Sequence, residues 1–289
     1  MNLIGFGFEH RAMKNLRGRS AILTGADGGI GPYIAQALAA EGVHLLLVGY
    51  PGTGLLEVCS AVDGRGTRAH VLAADLREPA ERRRVVEHAV RELGAVDVLV
   101  NNAGVEYSSP YHELSEERIR EVLSVNLEAP MMLTHLVLPG MLKRGLGHIV
   151  SISSLAGKSG PGYQEPYAAS KAALTAFTFS LRGTYQGTGV SASVVCPGFV
   201  EAGIYTRLRQ KTGCSAPALL AACAPERVAR AVLRAIRRDL PEILVNRYPM
   251  RVTLALMVLS PSFGGWLTSR LGVHDFFRRV VEAQKRDGT

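Results

Sequence analysis

Short, continuously apolar runs recur along the chain at Ala21–Leu23, Val43–Val48, Ala69–Ala73, Val96–Val100, His148–Ile152, Ser191–Val195 and Ile243–Val245. Helix-length segments lie between them, including Ile34–Glu41, Pro79–Leu93, Glu116–Leu138 and Tyr167–Tyr185. Runs of this kind read as strands buried on both faces, because a strand with one wet face would alternate apolar and polar positions. Strand and helix in regular alternation predict an α/β fold: a Rossmann-type, doubly wound, parallel seven-stranded sheet with helices on both faces. Such sheets bind ligands outside the carboxyl ends of their strands, and the residues with chemical potential fall there. Gly25 follows the first run, Asp75 the third, Asn101 the fourth, Ser153 and Ser154 the fifth and Pro197 the sixth.

The first of these ends carries T-G-A-D-G-G-I-G, Thr24 to Gly31, between a strand-like and a helix-like segment. Gly25, Gly29 and Gly31 permit positive φ and close backbone approach, and Pro32 suits a first helical turn. The N-terminus of the following helix offers unpaired N–H groups and a positive dipole end to a pyrophosphate. Further on, Tyr167 and Lys171 stand four residues apart in Y-A-A-S-K, on one face of a helix. An ammonium there favours the phenolate, so Lys171 is expected to draw the Tyr167 pKa down from about 10 toward neutrality and make it a general acid or base. Ser154, thirteen residues before Tyr167, supplies a hydroxyl to hold a carbonyl or alcohol oxygen.

With these motifs in order, the sequence resembles the short-chain dehydrogenase/reductase family over roughly Arg19 to Val245. The resemblance rests on T-G-x-x-x-G-x-G, Asp75, N-N-A-G at Asn101–Gly104, Asn126, Ser154, Tyr167, Lys171 and P-G at Pro197–Gly198. It implies a catalytic set of Asn126, Ser154, Tyr167 and Lys171. It also implies a cofactor cleft of Gly25, Asp27, Gly29, Ile30, Gly31, Tyr50, Asp75, Leu76, Asn102, Ala103, Gly104, Tyr167, Lys171, Pro197, Gly198 and Val200, with Asp75 near the adenine and Lys171 on the nicotinamide ribose. The activity implied is hydride transfer between NAD or NADP and a secondary alcohol or ketone. The offset to Tyr167 selects Ser154 over Ser153.

Each motif has a plainer competitor. A tyrosine four residues before a lysine is usually a surface pair, Asn101 and Asn102 can shape a turn, Asn126 can cap or kink a helix, and Asp75 can cap the helix that begins near Pro79. NAD and NADP stay open. A ribose hydroxyl wants a carboxylate at the end of the second strand and a 2′-phosphate wants arginine, but the chain offers Gly49 and Tyr50 there, Gly28 in the turn, and Asp27 beside it. After P-G, Ala202 stands where the family places a threonine, leaving backbone or Thr206 to make that contact. The alternative function is a non-catalytic NAD(P)-sensing protein, and, among enzymes, an epimerase or dehydratase using transient hydride transfer.

Composition refines the picture. A length of 289 residues, 47% of them hydrophobic, suits one large domain, Arg19 to Tyr248, with a lid over about 199–224, an N-terminal extension 1–18 and a C-terminal extension 249–289. Cys59, Cys196, Cys214 and Cys223 lack C-x-x-C spacing, so no metal or disulfide is expected and a cytoplasmic location fits. Glu9, His10 and Arg11 cut short the apolar start, and no secretion signal is expected. The formal charge of +8 is dispersed; Arg82–Arg84, among Glu78, Glu81 and Glu87, reads as a solvated face, and no nucleic-acid partner is expected.

Substrate choice falls to the segments 105–111, 158–165 and 199–224. The last mixes Phe199, Ile204, Tyr205, Leu208, Leu219 and Leu220 with Arg207, Arg209 and Lys211, which suits a lipophilic ketone or alcohol. The apolar run 252–267, flanked by Arg251 and Arg270, is too short and broken to span a bilayer. A subunit interface is its first reading; a cover for the substrate and peripheral membrane contact are the others. A homodimer or homotetramer is expected through the helices bearing Asn126 and Tyr167, where Ala168, Ala169, Ala172 and Ala173 allow close approach.

Overall fold

The structure, a computed structural model, describes residues 12–64, 66–217 and 220–286. Most of the N-terminal extension, with the proposed absence of a leader, and Leu219 of the lid therefore lie outside the described residues. Strands β1 (Ser20–Thr24), β2 (His44–Gly49), β3 (Ala69–Ala73), β4 (Val98–Asn101), β5 (Gly147–Ile152), β6 (Val190–Pro197) and β7 (Glu242–Val245) form one sheet in the order β3-β2-β1-β4-β5-β6-β7. Every neighbouring pair is parallel, so all strands end at the same edge. The chain doubles back between β1 and β4, which opens a crevice at their carboxyl ends. All seven apolar runs became strands; their continuous burial, complete in β1, β4, β5 and β6, is why they lacked alternation.

Two apolar layers cover the sheet. On one face, α1 (Gly31–Ala40), α2 (Leu55–Val62) and α9 (Pro225–Arg238) contribute Ile34, Leu38, Val58, Val228, Val232 and Ile236 to a core shared with Leu45 and Leu47. On the other, α3 (Pro79–Leu93) and α5 (Ala129–Arg144) supply Val85, Ala89, Leu133 and Met141 against Ile22, Leu46 and Leu99. Helix α7 (Glu165–Thr184) packs beside β6 and carries Tyr167 and Lys171.

Two local readings need correction. The helix expected over Glu116–Leu138 is α4 (Glu116–Leu123), a π-helical turn at Ser124–Glu128, then α5. Pro130 has no N–H to close the regular ladder, and the widened turn puts Asn126 wholly inside. The run Arg82–Arg84 is not uniformly solvated either. Arg82 is buried, pairs with Glu128 at 2.8 Å and donates to the Arg77 carbonyl at 2.8 Å, tying α3 to the start of α5.

The short α6 (Ala156–Ser159) links β5 to α7, and α8 (Gly203–Thr212) follows β6. The C-terminal segment folds as α10 (Arg251–Leu259), α11 (Pro261–Arg270) and α12 (Val273–Arg286). It does not trail away from the domain. Phe276 and Phe277 of α12 meet Phe199 and Tyr205 in an aromatic cluster with ring centroids 4.9 to 6.4 Å apart, so α12 clamps the lid. The ends of the lid are stitched together as well: Cys223 N–H donates to the Phe199 carbonyl at 2.9 Å and Glu201 N–H to the Cys223 carbonyl at 3.0 Å.

Candidate active site

The glycine turn links β1 to α1. Gly25 has φ +59°, and a Cβ there would lie 2.8 Å from Ala103 Cα; Gly29 has φ +50°, and a Cβ there would lie 2.7 Å from Gly203 Cα. A side chain on Gly31 would run into the Gly25 and Ala26 carbonyls. The turn thus leaves bare backbone at the start of α1, the shape and polarity a pyrophosphate requires. Asn102 braces it by donating from Nδ2 to the Thr24 and Gly25 carbonyls at 3.0 and 2.8 Å, while Thr24 Oγ1 accepts from Asn102 and Ala103 N–H at 3.0 and 3.1 Å. Asn102 is therefore more than a strand-ending turn residue: it locks β4 to the glycine turn.

Asn126, Lys171, Ser154 and Tyr167 come together at the ends of β4 and β5. Asn126 accepts from Val105 N–H at 2.8 Å and donates to the Val105 carbonyl at 2.9 Å and to Ser170 Oγ at 3.2 Å. These bonds fasten the chain leaving N-N-A-G to α7. Lys171 is buried, donates to the Ile152 carbonyl at 2.9 Å, and lies with its Nζ 5.8 Å from the centre of the Tyr167 ring. Ser154 Oγ accepts from Ala156 N–H at 3.1 Å, and Ser154 lines the cleft together with Tyr167. Ser153, by contrast, donates to the Lys171 carbonyl at 2.7 Å and shares a 2.9 Å bond with Thr175, so its hydroxyl is spent within the packing of β5 on α7.

The direction of the Tyr167 shift is opposite to the sequence expectation. The half-buried phenol lines the cleft, and burial in the surrounding protein pushes its pKa up to about 12. The same burial pulls Lys171 down to about 8. Desolvation disfavours both charged forms and outweighs the attraction between them. Glu106 adds to the effect on Tyr167; its own carboxyl is raised by burial and accepts from Gln164 Nε2 at 2.8 Å and from the Ser108 hydroxyl.

At the far end of the crevice, the space above Gly49 is filled. A Cβ on Gly49 would collide with Asp27 Oδ1 and come within 2.9 Å of Leu55 Cγ. Asp27, from the glycine turn, therefore sets its carboxylate at the end of β2, where the missing strand-two acid would stand. Among the described residues it has no hydrogen-bond or ion-pair partner. Asp75 is held by Arg77, whose guanidinium donates to both carboxylate oxygens at 2.6 to 3.0 Å and keeps the acid below its usual range. Asp75 accepts from Arg77 N–H at 3.0 Å but is not the N-cap of α3, which is Glu78. Arg77 also sits 5.9 Å from the Tyr50 ring centre and 3.5 Å from Glu121. The Leu76 side chain is buried in the core, so only its backbone can face a ligand.

A cleft of about 280 Å³ joins these parts, lined by Gly25, Gly29, Ile30, Asn102, Ala103, Gly104, Ser154, Tyr167, Lys171, Pro197, Gly198 and Val200. Asp27, Gly31, Tyr50, Asp75, Leu76 and Asn126 do not line it. Lys171, the bare glycine turn and the unpartnered Asp27 fit a dinucleotide laid along the crevice. Thr206 is not on the wall; its hydroxyl is buried without a partner, so the carboxamide contact suggested for it has no support. Gln164, Arg207 and Asn246 are on the wall; the first two fall in the segments expected to choose the substrate, Arg207 by name, whereas Asn246 was not named from sequence. Asn246 Nδ2 is buried and unpaired, and its only sequence signal was its place just after the seventh strand. The deep wall is apolar: Phe199, Leu208 and Leu220 come from the lid, and Leu254, Met257 and Phe277 from the C-terminal helices.

The chain belongs to the short chain dehydrogenase family, whose pattern matches residues 19–213. It is an NAD(P)-dependent oxidoreductase. It is 38% identical over 281 residues to the ketoacyl reductase HetN of Nostoc sp. (strain PCC 7120), covering 96% of this chain and 97% of that protein. The similarity to the 3-oxoacyl-(acyl-carrier-protein) reductase FabG of Escherichia coli (strain K12) is 34% over 187 residues, 65% of this chain and 75% of that protein. A metagenomic short-chain oxidoreductase solved in complex with NADP superposes with a TM-score of 0.68 at 30% identity, covering 80% of this chain and 98% of that one.

Proposed function

We propose that the protein reduces a lipophilic ketone to a secondary alcohol, with Tyr167 as the proton donor, and that the reverse oxidation follows the same route. The observation that carries this reading is the convergence of Ser154, Tyr167 and Lys171 on one cleft, at the mouth of an apolar wall. A carbonyl oxygen placed between the two hydroxyls accepts from both, so negative charge growing on it is met by donors already in position. A bound nicotinamide supplies or accepts the hydride. The chain's residues do the rest. Burial holds Tyr167 protonated across the neutral range, which suits it to deliver a proton onto an alkoxide oxygen. Lys171 orients beneath the phenol and offers its ammonium to a ribose, and Asn126 keeps α7 and the N-N-A-G turn at a fixed spacing. The names of the ketoacyl reductases among its relatives, with the apolar depth of the cleft and Arg207 on its wall, favour a 3-oxoacyl chain as the substrate class.

The chain is proposed to assemble as a homodimer or homotetramer through α4, α5 and α7. Leu123, Met132 and Phe179 are exposed on those helices, and Ala169 and Ala172 keep the α7 surface low. Its free cysteines suit a cytoplasmic setting. The test is a screen of 3-oxoacyl thioesters, simpler ketones and secondary alcohols against NADH, NADPH and their oxidised forms, read at the reduced-cofactor absorbance. Turnover of acyl chains of medium or greater length is expected. Dinucleotide binding without turnover of any substrate would favour the sensor reading instead.

A further inference from the structure

The C-terminal helices have two faces with different uses. Met250, Leu254, Met257, Thr268 and Leu271 line the cleft. Elsewhere on these helices, Val252, Leu256 and Leu259 recur at intervals of four and three along α10, and Phe263 and Trp266, three apart on α11 with ring centroids 5.6 Å apart, add to the same apolar surface. Among the described residues, most of this stripe is left uncovered. Val252 is 74% exposed, Leu259 82% and Trp266 55%, with the neighbouring Val258 at 70%. Apolar residues scattered singly over a surface are ordinary, whereas a contiguous stripe marks a contact. One helix layer, about 10 Å thick, is all that separates it from the cleft.

The charges around the stripe say which contact. From Ile243 to His274 the chain has no acidic residue, and it carries Arg247, Arg251 and Arg270. Arg270 lies over the Trp266 ring at 5.8 Å, and Arg251 is exposed beside Glu242 at 3.6 Å. Arginines at the margins of an apolar stripe, with a tryptophan among them, match the depth profile of a bilayer surface: acyl chains below, anionic headgroups at the rim. Mating the stripe with a second copy would instead gather the arginines of both chains around a rim where Glu242 is already paired with Lys158 at 2.6 Å and with Arg251. Crossing the membrane is excluded by length, since α10 and α11 have 9 and 10 residues and a span takes about 20.

We propose that the α10–α11 hairpin seats in the surface of an anionic lipid bilayer, and that lipophilic substrate passes between these helices from the membrane into the cleft. The substrate route rests on the function proposed above; the membrane contact does not, and is tested without turnover. Trp266 is the chain's single tryptophan, so its emission reports directly on the stripe. Phosphatidylcholine vesicles with and without phosphatidylglycerol are added to the full chain, with emission and co-sedimentation recorded. A blue shift and co-sedimentation are expected with the anionic vesicles. Each arginine near such a surface adds about fivefold, so the preference over phosphatidylcholine alone should approach a hundredfold for three. The double variant Val258→Asp, Leu259→Asp should lose vesicle binding while keeping its dinucleotide dissociation constant and its circular dichroism. Emission that moves with no vesicle overturns the proposal. So does a blue shift that follows protein concentration in lipid-free solution together with a doubling of mass by light scattering, which would make the stripe a subunit interface.

Discussion

Asp27→Asn tests how the chain chooses between NADH and NADPH. The carboxylate of Asp27 rests on Gly49 at the end of β2, without a partner, where a ribose hydroxyl of a bound dinucleotide seeks an acceptor. A 2′-phosphate in the same place brings a charge of about −1.5 to −2, as phosphate monoesters do near neutral pH. Two unit charges 4 Å apart repel by about 1 kcal/mol in water and about 4 kcal/mol at the effective dielectric of a protein surface. Asp27 is half-buried, so about 2 kcal/mol is a fair lower figure, or roughly thirtyfold in affinity. Arg77 does not offset this, because Asp75 and Glu121 already neutralise it. Isothermal titration calorimetry should therefore show NADH binding at least about thirtyfold more tightly than NADPH. Asp27→Asn keeps the shape, removes the charge and should shrink that ratio at least about tenfold. Tighter binding of NADPH by the unmodified chain, or an unchanged ratio in the variant, would refute the role assigned to Asp27.

The shifted pKa values give stability a two-sided pH dependence. Lys171 titrates lower in the fold, at about 8, than in the unfolded chain, so the unfolded state binds more protons above pH 8 and stability rises with pH toward 10. Tyr167, raised to about 12, acts in the opposite sense from pH 10 upward; melting temperatures of Lys171→Met should lose the rise between 8 and 10 and keep the fall above it. Asn126→Ala leaves the part-buried Val105 N–H and carbonyl without their side-chain partner and should cost about 1–2 kcal/mol in urea unfolding. Gly29→Ala drives a methyl into Gly203 at the start of the lid, so limited proteolysis should cut within 203–224 faster than in the unmodified chain, and unchanged cleavage would show that the lid does not rest on the turn.

What could be seen in the sequence was what local chemistry dictates. Strands covered on both faces need continuous apolar runs, and a backbone turn stripped of side chains needs Gly25, Gly29 and Gly31, so both were plain. The grouping of Ser154, Tyr167 and Lys171 was equally visible. Their protonation was not, because desolvation depends on atoms from β5, β6 and the lid that no local spacing reveals. The same holds for Asp27, whose reach across to Gly49 appears only once β1 and β2 lie side by side. The break at Ser124–Glu128 hid within a helical pattern that Pro130 alone hinted at. Asn246 and Gln164 enter the cleft through topology. The C-terminal helices announced their apolarity but not its division, with one stripe toward the cleft and another toward the outside.

The central claim is that the Tyr167 hydroxyl delivers the proton in carbonyl reduction. The most direct measurement compares single-turnover reduction of a 3-oxoacyl thioester by the unmodified chain and by Tyr167→Phe, each preloaded with reduced dinucleotide whose dissociation constant is determined in the same samples. The account predicts that reduction falls by a factor on the order of a thousand while the dissociation constant changes less than about threefold. Reduction by Tyr167→Phe at a rate close to that of the unmodified chain, with the dinucleotide bound, would contradict it.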